Sequence, residues 1–336
     1  MQMFQNRRNF LAGLTATGTA GLTGMSSMAR AEPPLETTTV RLPQYFPSSC
    51  DGPLYIAKEL LSAEGFTDVR YVQGDGEGDS SVWLAHGETD FDFDYVPIHI
   101  NSIETGAPIK VLTGMHSGCL ELIANESVRS VKELKGKNIG VTAVNSLHKV
   151  LVTLMAAYIG LDPVNDFNWI ISEDTSALDL FVEGEIDAFL AAPPEPQDLR
   201  ARKIGHTILD VAVDGPWSQY FCCMLAGHAD YVANYPTATK RVMRALLKAV
   251  DLCATNPKGV AQQLVNDKFT DRYDYALETL NDSRYDRWRE FDPEDTMRFY
   301  ALRMHEVGFI KTDPDKIIAG GTDWRFLNEL KRELKM

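Results

Sequence analysis

Beyond its first 31 residues this sequence has no apolar run approaching the roughly 20 residues that a membrane span needs, so the remainder is expected to be soluble. Positive charge is also short. The formal net charge is −14, and the first 31 residues hold three arginines and no acid, which leaves 30 basic against 47 acidic residues, a net of −17, in the rest. A surface of that sign has no basic field to gather phosphates, which excludes nucleic acid and anionic lipid as partners. Cysteine is scarce: five residues, at positions 50, 119, 222, 223 and 253, give neither a disulfide framework nor a zinc-type spacing. Each is expected to be a small buried hydrophobe. The histidines form no H-E-x-x-H pair and no G-x-S-x-G elbow occurs, so no catalytic or metal-ligating residue is assigned and no cofactor is expected.

What is present begins with a leader. NRRNFLAGL carries paired Arg7 and Arg8 followed by Phe10 and Leu11, a mildly apolar run continues to about Met25, and Ala29 and Ala31 supply the small residues of an A-x-A peptidase site. The pattern reads as a twin-arginine (Tat) signal cut after Ala31, with a periplasmic destination. Gly13, Gly18, Gly21 and Gly24 disfavour the alternative of a basic first helix. The roughly 305 residues that follow can bury a large core, usually as two lobes.

From Thr37 onward strand and helix periods alternate, the pattern of an α/β sheet. TTVRL reads as a strand. PQYFPSSCDGP then leads into a helix with Ser48, Ser49 or Asp51 as its N-cap, Pro53 in its first turn and Gly65 at its end. TDFDFDYVPI reads as strand throughout, and everything after Asn234 reads as helix. One order of elements occurs twice, with GETDFDF at Gly87 and GEIDAFL at Gly184 in the same place. Two such lobes imply a cleft between them, where open α/β sheets bind ligands.

The segments LKGKNIGVTAVNSLHKVL, VEGEIDAFLAAPPEP, GAPIKVLTG and GTDWRFLNELK resemble the nitrate/sulfonate/taurine-type periplasmic solute-binding proteins of ABC importers, a group that includes thiamine-pyrimidine-precursor binders. The likeness runs from roughly Thr39 to Leu330. It implies a type II periplasmic-binding-protein fold, two Rossmann-like α/β lobes joined by crossover strands around Gly114 to Ala124 and Asp214 to Phe221. The leader would be 1–31, lobe one 32–115 and 221–336 with the C-terminal helices, and lobe two 116–220. It further implies a monomer without catalysis, which captures a small organic solute (sulfonate, aromatic or pyrimidine-like) and meets ABC permease and ATPase subunits at the inner membrane. Two rivals remain open. A thiamine-pyrimidine synthase-like enzyme would need a cofactor lysine, a histidine and a full cysteine motif, where this chain has only FCC from Phe221; the other rival is an extracytoplasmic ligand-sensing domain.

The candidate ligand-binding residues lie in loops that such a fold brings to its cleft. Tyr45 and Phe46 offer ring faces, and Cys50 and Asp51 head a helix whose first amides point outward. In DFDFDY, Asp92 and Asp94 share one strand face, and Asp94 or Tyr95 is expected in the site. The first crossover contributes His116, Ser117 and Cys119. Asn145, Ser146 and His148 open the helix after IGV as an anion-compatible pocket, with Glu195 and Trp217 on the far wall. Cys222 and Cys223, neighbours on a strand, should face opposite ways, so both could hold one metal only at a bulge, and core packing is expected. These loops contain no lysine or arginine while Asp51, Asp94 and Glu195 supply negative charge, which favours an organic ligand with an aromatic or amine portion over an inorganic anion.

Overall fold

The computed structural model describes residues 32–44, 49–73, 80–143, 146–172 and 175–333. A first pass of alternating elements comprises β1 Thr39–Pro43, α1 Gly52–Ala63, β2 Asp68–Val72, α2 Ser80–Ala85, β3 Phe91–Tyr95, α3 Val96–Glu104 and β4 Ile109–His116. A second comprises β5 Glu121–Ala124, β6 Asn138–Val141, α4 Leu147–Tyr158, β7 Asn168–Ile171, α5 Ala177–Glu183, β8 Ala188–Ala191, α6 Glu195–Arg202 and β9 His206–Asp210. The chain returns through β10 Cys223–His228 and ends in helices: α7 Ala229–Asn234, α8 Pro236–Thr255, α9 Pro257–Asn266, α10 Tyr273–Asp282, α11 Pro293–Glu306, α12 Pro314–Gly321 and α13 Arg325–Glu333.

The strands fall into two arrangements of the same order. One sheet runs β7-β6-β8-β5-β9, with β6 parallel to β7 and β8, and β5 antiparallel to both of its neighbours. The other consists of the parallel pair β1-β2 and the triplet β3-β10-β4, in which β10 is antiparallel to both neighbours. Arg41 links the pair to the triplet: its carbonyl accepts from the Asp90 amide (2.9 Å), and its own amide and guanidinium bind the Asp90 carboxylate. Read from β2, the order is therefore second, first, third, inserted antiparallel strand, fourth, as it is from β7. GETDFDF feeds β3 and GEIDAFL feeds β8, the third strand in each case, so the half-repeat in the sequence is a repeat in topology. The inserted strand in each sheet is the one that arrives from the other sheet.

Burial explains the strand composition. β5 and β8 are buried at every residue, as strands covered on both faces are, and apart from Glu121 at the start of β5 their sequences are apolar. The long helix α8 buries Val242, Met243, Leu246, Leu247 and Val250 in the main hydrophobic cluster, where α1 contributes Leu54, Ile56 and Leu61.

Three local expectations meet the structure differently. Gly65 ends α1 as expected: at φ +103 it places the Phe66 amide on the Leu61 carbonyl (3.0 Å) and its own on Ser62 (3.0 Å). Pro53 is in the first turn, but Asp51 stands at the N-cap without a side-chain bond to the helix, and Ser48 lies outside the described residues. TDFDFDYVPI is strand only as far as Tyr95. Pro97 sits in the first turn of α3, where its fixed φ suits a helix start and its missing N–H costs nothing.

Gly114 in β4 marks the closest packing near the end of that strand. A Cβ there would fall 2.2 Å from the ring of Phe221, itself fully buried. Gly114→Ala is expected to destabilise the protein by about 1–3 kcal/mol through overpacking, whereas Gly320→Ala, in α12 with nothing within 4 Å of the added Cβ, should be neutral or mildly stabilising. Urea unfolding midpoints of the two variants check the contrast.

Candidate functional site

The chain leaves β4 at His116, enters β5 at Glu121, and comes back between Asp210 and Cys223. These two connections lie side by side. The Val211 amide donates to the Leu120 carbonyl (3.1 Å) and the Cys222 amide to the His116 carbonyl (2.9 Å). Cys119 takes φ +101, a left-handed conformation that a side chain rarely adopts.

At this seam the cysteines converge. Donor atoms of Cys50, His116 and Cys119 all lie within 4.8 Å of one another, and so do those of Cys119, Cys222 and Cys223. The Cys119 and Cys222 sulfurs are 3.5 Å apart. Cys50 is held from the other side, its carbonyl accepting from the Tyr285 hydroxyl at 2.6 Å. His116 is fully buried, edge-on to Phe93 and Tyr285 with ring centroids 5.5 and 5.1 Å away. Neither ring nitrogen makes a hydrogen bond among the described residues. Burial drops its pKa to about 3, against a small opposing contribution from the nearby Ser117 and Gly118 backbone, so the imidazole is neutral. Burial likewise pushes Cys119 up to about 11. At Cys222 burial acts upward too, but hydrogen bonds from Cys119 and Cys223 outweigh it and bring the thiol below its usual value.

The expectation that Cys222 and Cys223 face apart is corrected by the irregular start of β10. Cys222 precedes the strand, and Met115 is an extra residue on β4, because Cys223 pairs with His116 and Met224 with Gly114. Strict alternation does not hold there, and both sulfurs reach Cys119.

Beside the thiols lies a small opening of about 10 Å³, room for roughly one water in this arrangement, lined by Cys119, Pro193 and Ala212 and by six polar residues. Three are carboxylates, Glu121, Asp210 and Asp282; the others are Gln197, Thr279 and Ser283. Gln197 Oε1, Thr279 Oγ1, Ser283 Oγ and nearby Ser117 Oγ are buried with no hydrogen-bond partner among the described residues. Arg200 spans the opening's rim, contacting Glu121 at 2.6 Å, Glu278 at 2.8 Å and Asp282 at 3.4 Å. Burial, followed by the charges of Glu121, Asp214 and Asp282, raises Asp210 to about 6 although the Ala212 amide holds it down.

The residues expected at a ligand site divide accordingly. Cys50, His116 and Cys119 come together, with Ser117 between them in sequence and its carbonyl taking the Arg284 amide at 2.9 Å. Tyr95 lies against the same thiols, whose charges add to burial in raising its pKa. Asp94 accepts from the Ser80 hydroxyl (3.0 Å) and the Tyr95 amide (2.7 Å). Asp51 is buried at the N-cap of α1. Ser146 caps α4 through the Lys149 amide (3.4 Å), and burial lowers the pKa of His148. Glu195 accepts from its own chain, the Ala192 amide at 3.0 Å, and does not line the opening. Trp217 packs among Tyr158, Phe299 and Tyr300 rather than beside the opening. Tyr45, Phe46 and Asn145 lie outside the described residues. Gln197, Thr279 and Ser283 went unnoticed in the sequence; the available signal was the i, i+4 pair Thr279 and Ser283 on a helix whose other buried residues include Ala276 and Leu280.

A family model described as NMT1/THI5 like matches residues 51–260. No curated protein matches the chain. Among solved structures, the periplasmic nitrate-binding protein NrtA from Synechocystis PCC 6803 is similar at 16% identity and a TM-score of 0.75, over 89% of this chain and 90% of that one. The alkanesulfonate-binding protein SsuA from Xanthomonas axonopodis pv. citri, bound to MOPS, is 16% identical with a TM-score of 0.66, over 82% and 96%. The desulfurization enzyme DszB is 14% identical with a TM-score of 0.60, over 88% and 99%. At these identities the likeness is one of fold, and the fold is the type II periplasmic-binding-protein fold.

Glu195 supplies a test of local electrostatics. Burial lifts its pKa to about 7 despite the Ala192 hydrogen bond, so the native state binds a proton that the unfolded chain, near 4.5, has already released. The stabilisation is complete below about pH 4.5 and is lost as pH rises through 7. Asp210 acts in the same sense at slightly lower pH. Between pH 5 and 8 the melting temperature should fall, and Glu195→Gln should remove about 2 °C of that fall, as differential scanning calorimetry would measure.

Proposed function

Because the chain belongs to the NMT1/THI5-like family, we propose that it is the extracytoplasmic substrate-binding component of an ABC importer, a monomer that takes a small organic solute into a cleft between two lobes. Lobe one comprises 32–115 and 221–336, and lobe two 116–220. The observation that carries this reading is the set of buried, unpartnered side chains at the seam. Gln197 comes from α6, Thr279 and Ser283 belong to α10 or its end, and Ser117 lies in the first connection. A buried hydroxyl or amide without a partner costs about 1–3 kcal/mol, and a bound solute that supplied the partners would recover it. A solute touching both sides at once also favours the closed arrangement.

The charges at the opening favour an organic solute with hydrogen-bond donors, an amino-sulfonate or pyrimidine-like molecule, over a bare anion. The described lining has three carboxylates and no lysine or arginine. Arg200 on the rim pairs with Glu121 and Asp282, so the bias against a bare anion comes chiefly from Asp210 and from the lack of a cation facing the opening. NrtA binds nitrate and SsuA alkanesulfonate on the same fold, so the fold leaves the ligand to the side chains. It leaves catalysis to them as well, since DszB shares it. A neutral histidine with a pKa of about 3 is a poor general base, which favours binding without turnover.

A thermal-shift screen of amino-sulfonates, aromatic acids and pyrimidines against nitrate and bicarbonate tests this. An organic solute at about 100 times its Kd should add about 2.7 kcal/mol of stability, and Gln197→Ala should weaken its binding about tenfold, the loss of one hydrogen bond. Stabilisation by the inorganic anions alone would refute the reading.

Residues 1–31 act in this proposal as the twin-arginine leader that delivers the chain to the periplasm and to its permease and ATPase at the inner membrane. Changing Arg7 and Arg8 to lysine should leave the uncut precursor in the cytoplasm, as fractionation and immunoblotting would register; export at the normal level would remove the Tat route.

A further inference from the structure

We infer that Cys50, His116 and Cys119, with Cys222 completing the set, form a binding site for one thiophilic cation of the Zn²⁺ or Cu⁺ class. The donor atoms of the first three already lie within 4.8 Å of one another, and the Cys222 sulfur is 3.5 Å from that of Cys119. Around a tetrahedral zinc with bonds of about 2.3 Å to sulfur, neighbouring sulfurs stand roughly 3.8 Å apart. Adjustments of about 1 Å bring Cys50, His116 and Cys119 to that geometry, and Cys222 reaches the set through its contact with Cys119.

The histidine supplies a second observation. A buried imidazole ordinarily donates one N–H to a carbonyl or carboxylate. His116 is fully buried, and neither of its nitrogens makes a well-aligned hydrogen bond among the described residues, the Gly118 and Ser117 backbone lying near the ring without good geometry. A nitrogen aimed into a group of thiols without a hydrogen bond is a ligand nitrogen in waiting. The donor chemistry selects the cation. Three sulfurs and one imidazole suit soft and borderline ions, and the set contains no carboxylate to hold calcium or magnesium. Three thiolates and a neutral imidazole around a divalent ion leave a net charge of −1, so the ion offsets most of the cost of ionising the thiols in so apolar a setting.

The site draws on residues from the turn before α1 and from both connections between the sheets, so no spacing rule could reveal it. It would pin those connections together beside the solute opening, to which Cys119 also belongs. The inference does not depend on the solute or on the importer assignment.

The test uses the mature chain, residues 32–336, purified under reducing conditions and titrated with Co²⁺ as the probe. The expected result is a thiolate-to-cobalt charge-transfer band with tetrahedral d–d bands, saturating at one equivalent, displaced by Zn²⁺, and accompanied by protection of the cysteines from alkylation. Cys119→Ser should abolish the band, and Cys253→Ser, which alters the cysteine outside the cluster, should keep it. The wild-type spectrum needs no variant to fold. Absence of the charge-transfer band in fully reduced wild-type protein would overturn the proposal, as would its persistence in a folded Cys119→Ser variant. Recovery of the protein with two thiols lost to a Cys119–Cys222 disulfide, and no metal binding even after that bond is reduced, would overturn it in favour of a redox pair.

Discussion

Two short lengths of chain lying against each other set the terms for everything at the centre of this protein. The connection from β4 to β5 and the return from β9 to β10 are joined by backbone hydrogen bonds at both ends of the first, Cys222 to His116 and Val211 to Leu120. Gly114 exists where it does because Phe221 fills the space beside it. A chain forced to pass between two sheets twice within so small a volume must bury whatever side chains those passages carry. Here they carry an imidazole, three thiols and a serine hydroxyl. In a scaffold of this kind any rotation between sheets has to be absorbed by the connections, so groups placed on them sense the sheets' relative position more directly than groups elsewhere.

The order of elements was readable from the sequence because it depends on period and punctuation. Alternating strand and helix periods, Gly65 after α1, and the glycine-acid pairs before β3 and β8 are local signals, and the structure has the elements they imply. The boundary at Tyr95 was misread for a physical reason. Val96, Pro97 and Ile98 continue an apolar, extended-looking run, and the strand ends where its pairing with β10 stops at Tyr95 and Pro97 enters the first turn of α3. Register of that sort is set by a partner more than 120 residues away and leaves no local mark. The sequence did show that the first pass and the second were copies, yet the inserted antiparallel strands, which complete each sheet from outside its own pass, could be inferred only through a family resemblance.

The site was legible in pieces. His116, Ser117 and Cys119 stand out because a loop joins two apolar runs there, and Cys50 because an elaborate loop precedes a helix. That these positions share one volume with Cys222 and Cys223 is a consequence of tertiary structure, and the alternation rule actively argued against it. The rule fails because β10 begins irregularly opposite the extra residue Met115. Gln197, Thr279 and Ser283 were hidden for the opposite reason. Each is an ordinary polar residue on a helix or at its end, and its significance appears only when burial leaves it without a partner. Glu195 and Trp217, conspicuous in the sequence, are engaged in the structure at a helix terminus and in ring packing.

The central claim is that a small solute is held at this seam, in contact with both sheets' neighbourhoods. Amide hydrogen exchange, followed by mass spectrometry with and without a stabilising solute, addresses it most directly. The account predicts slowed exchange concentrated in 117–120, in the first turns of α6 around Gln197, in 211–222 and at the Thr279–Ser283 end of α10. Protection confined to α8, α12 and α13, with those four segments unchanged, would contradict it.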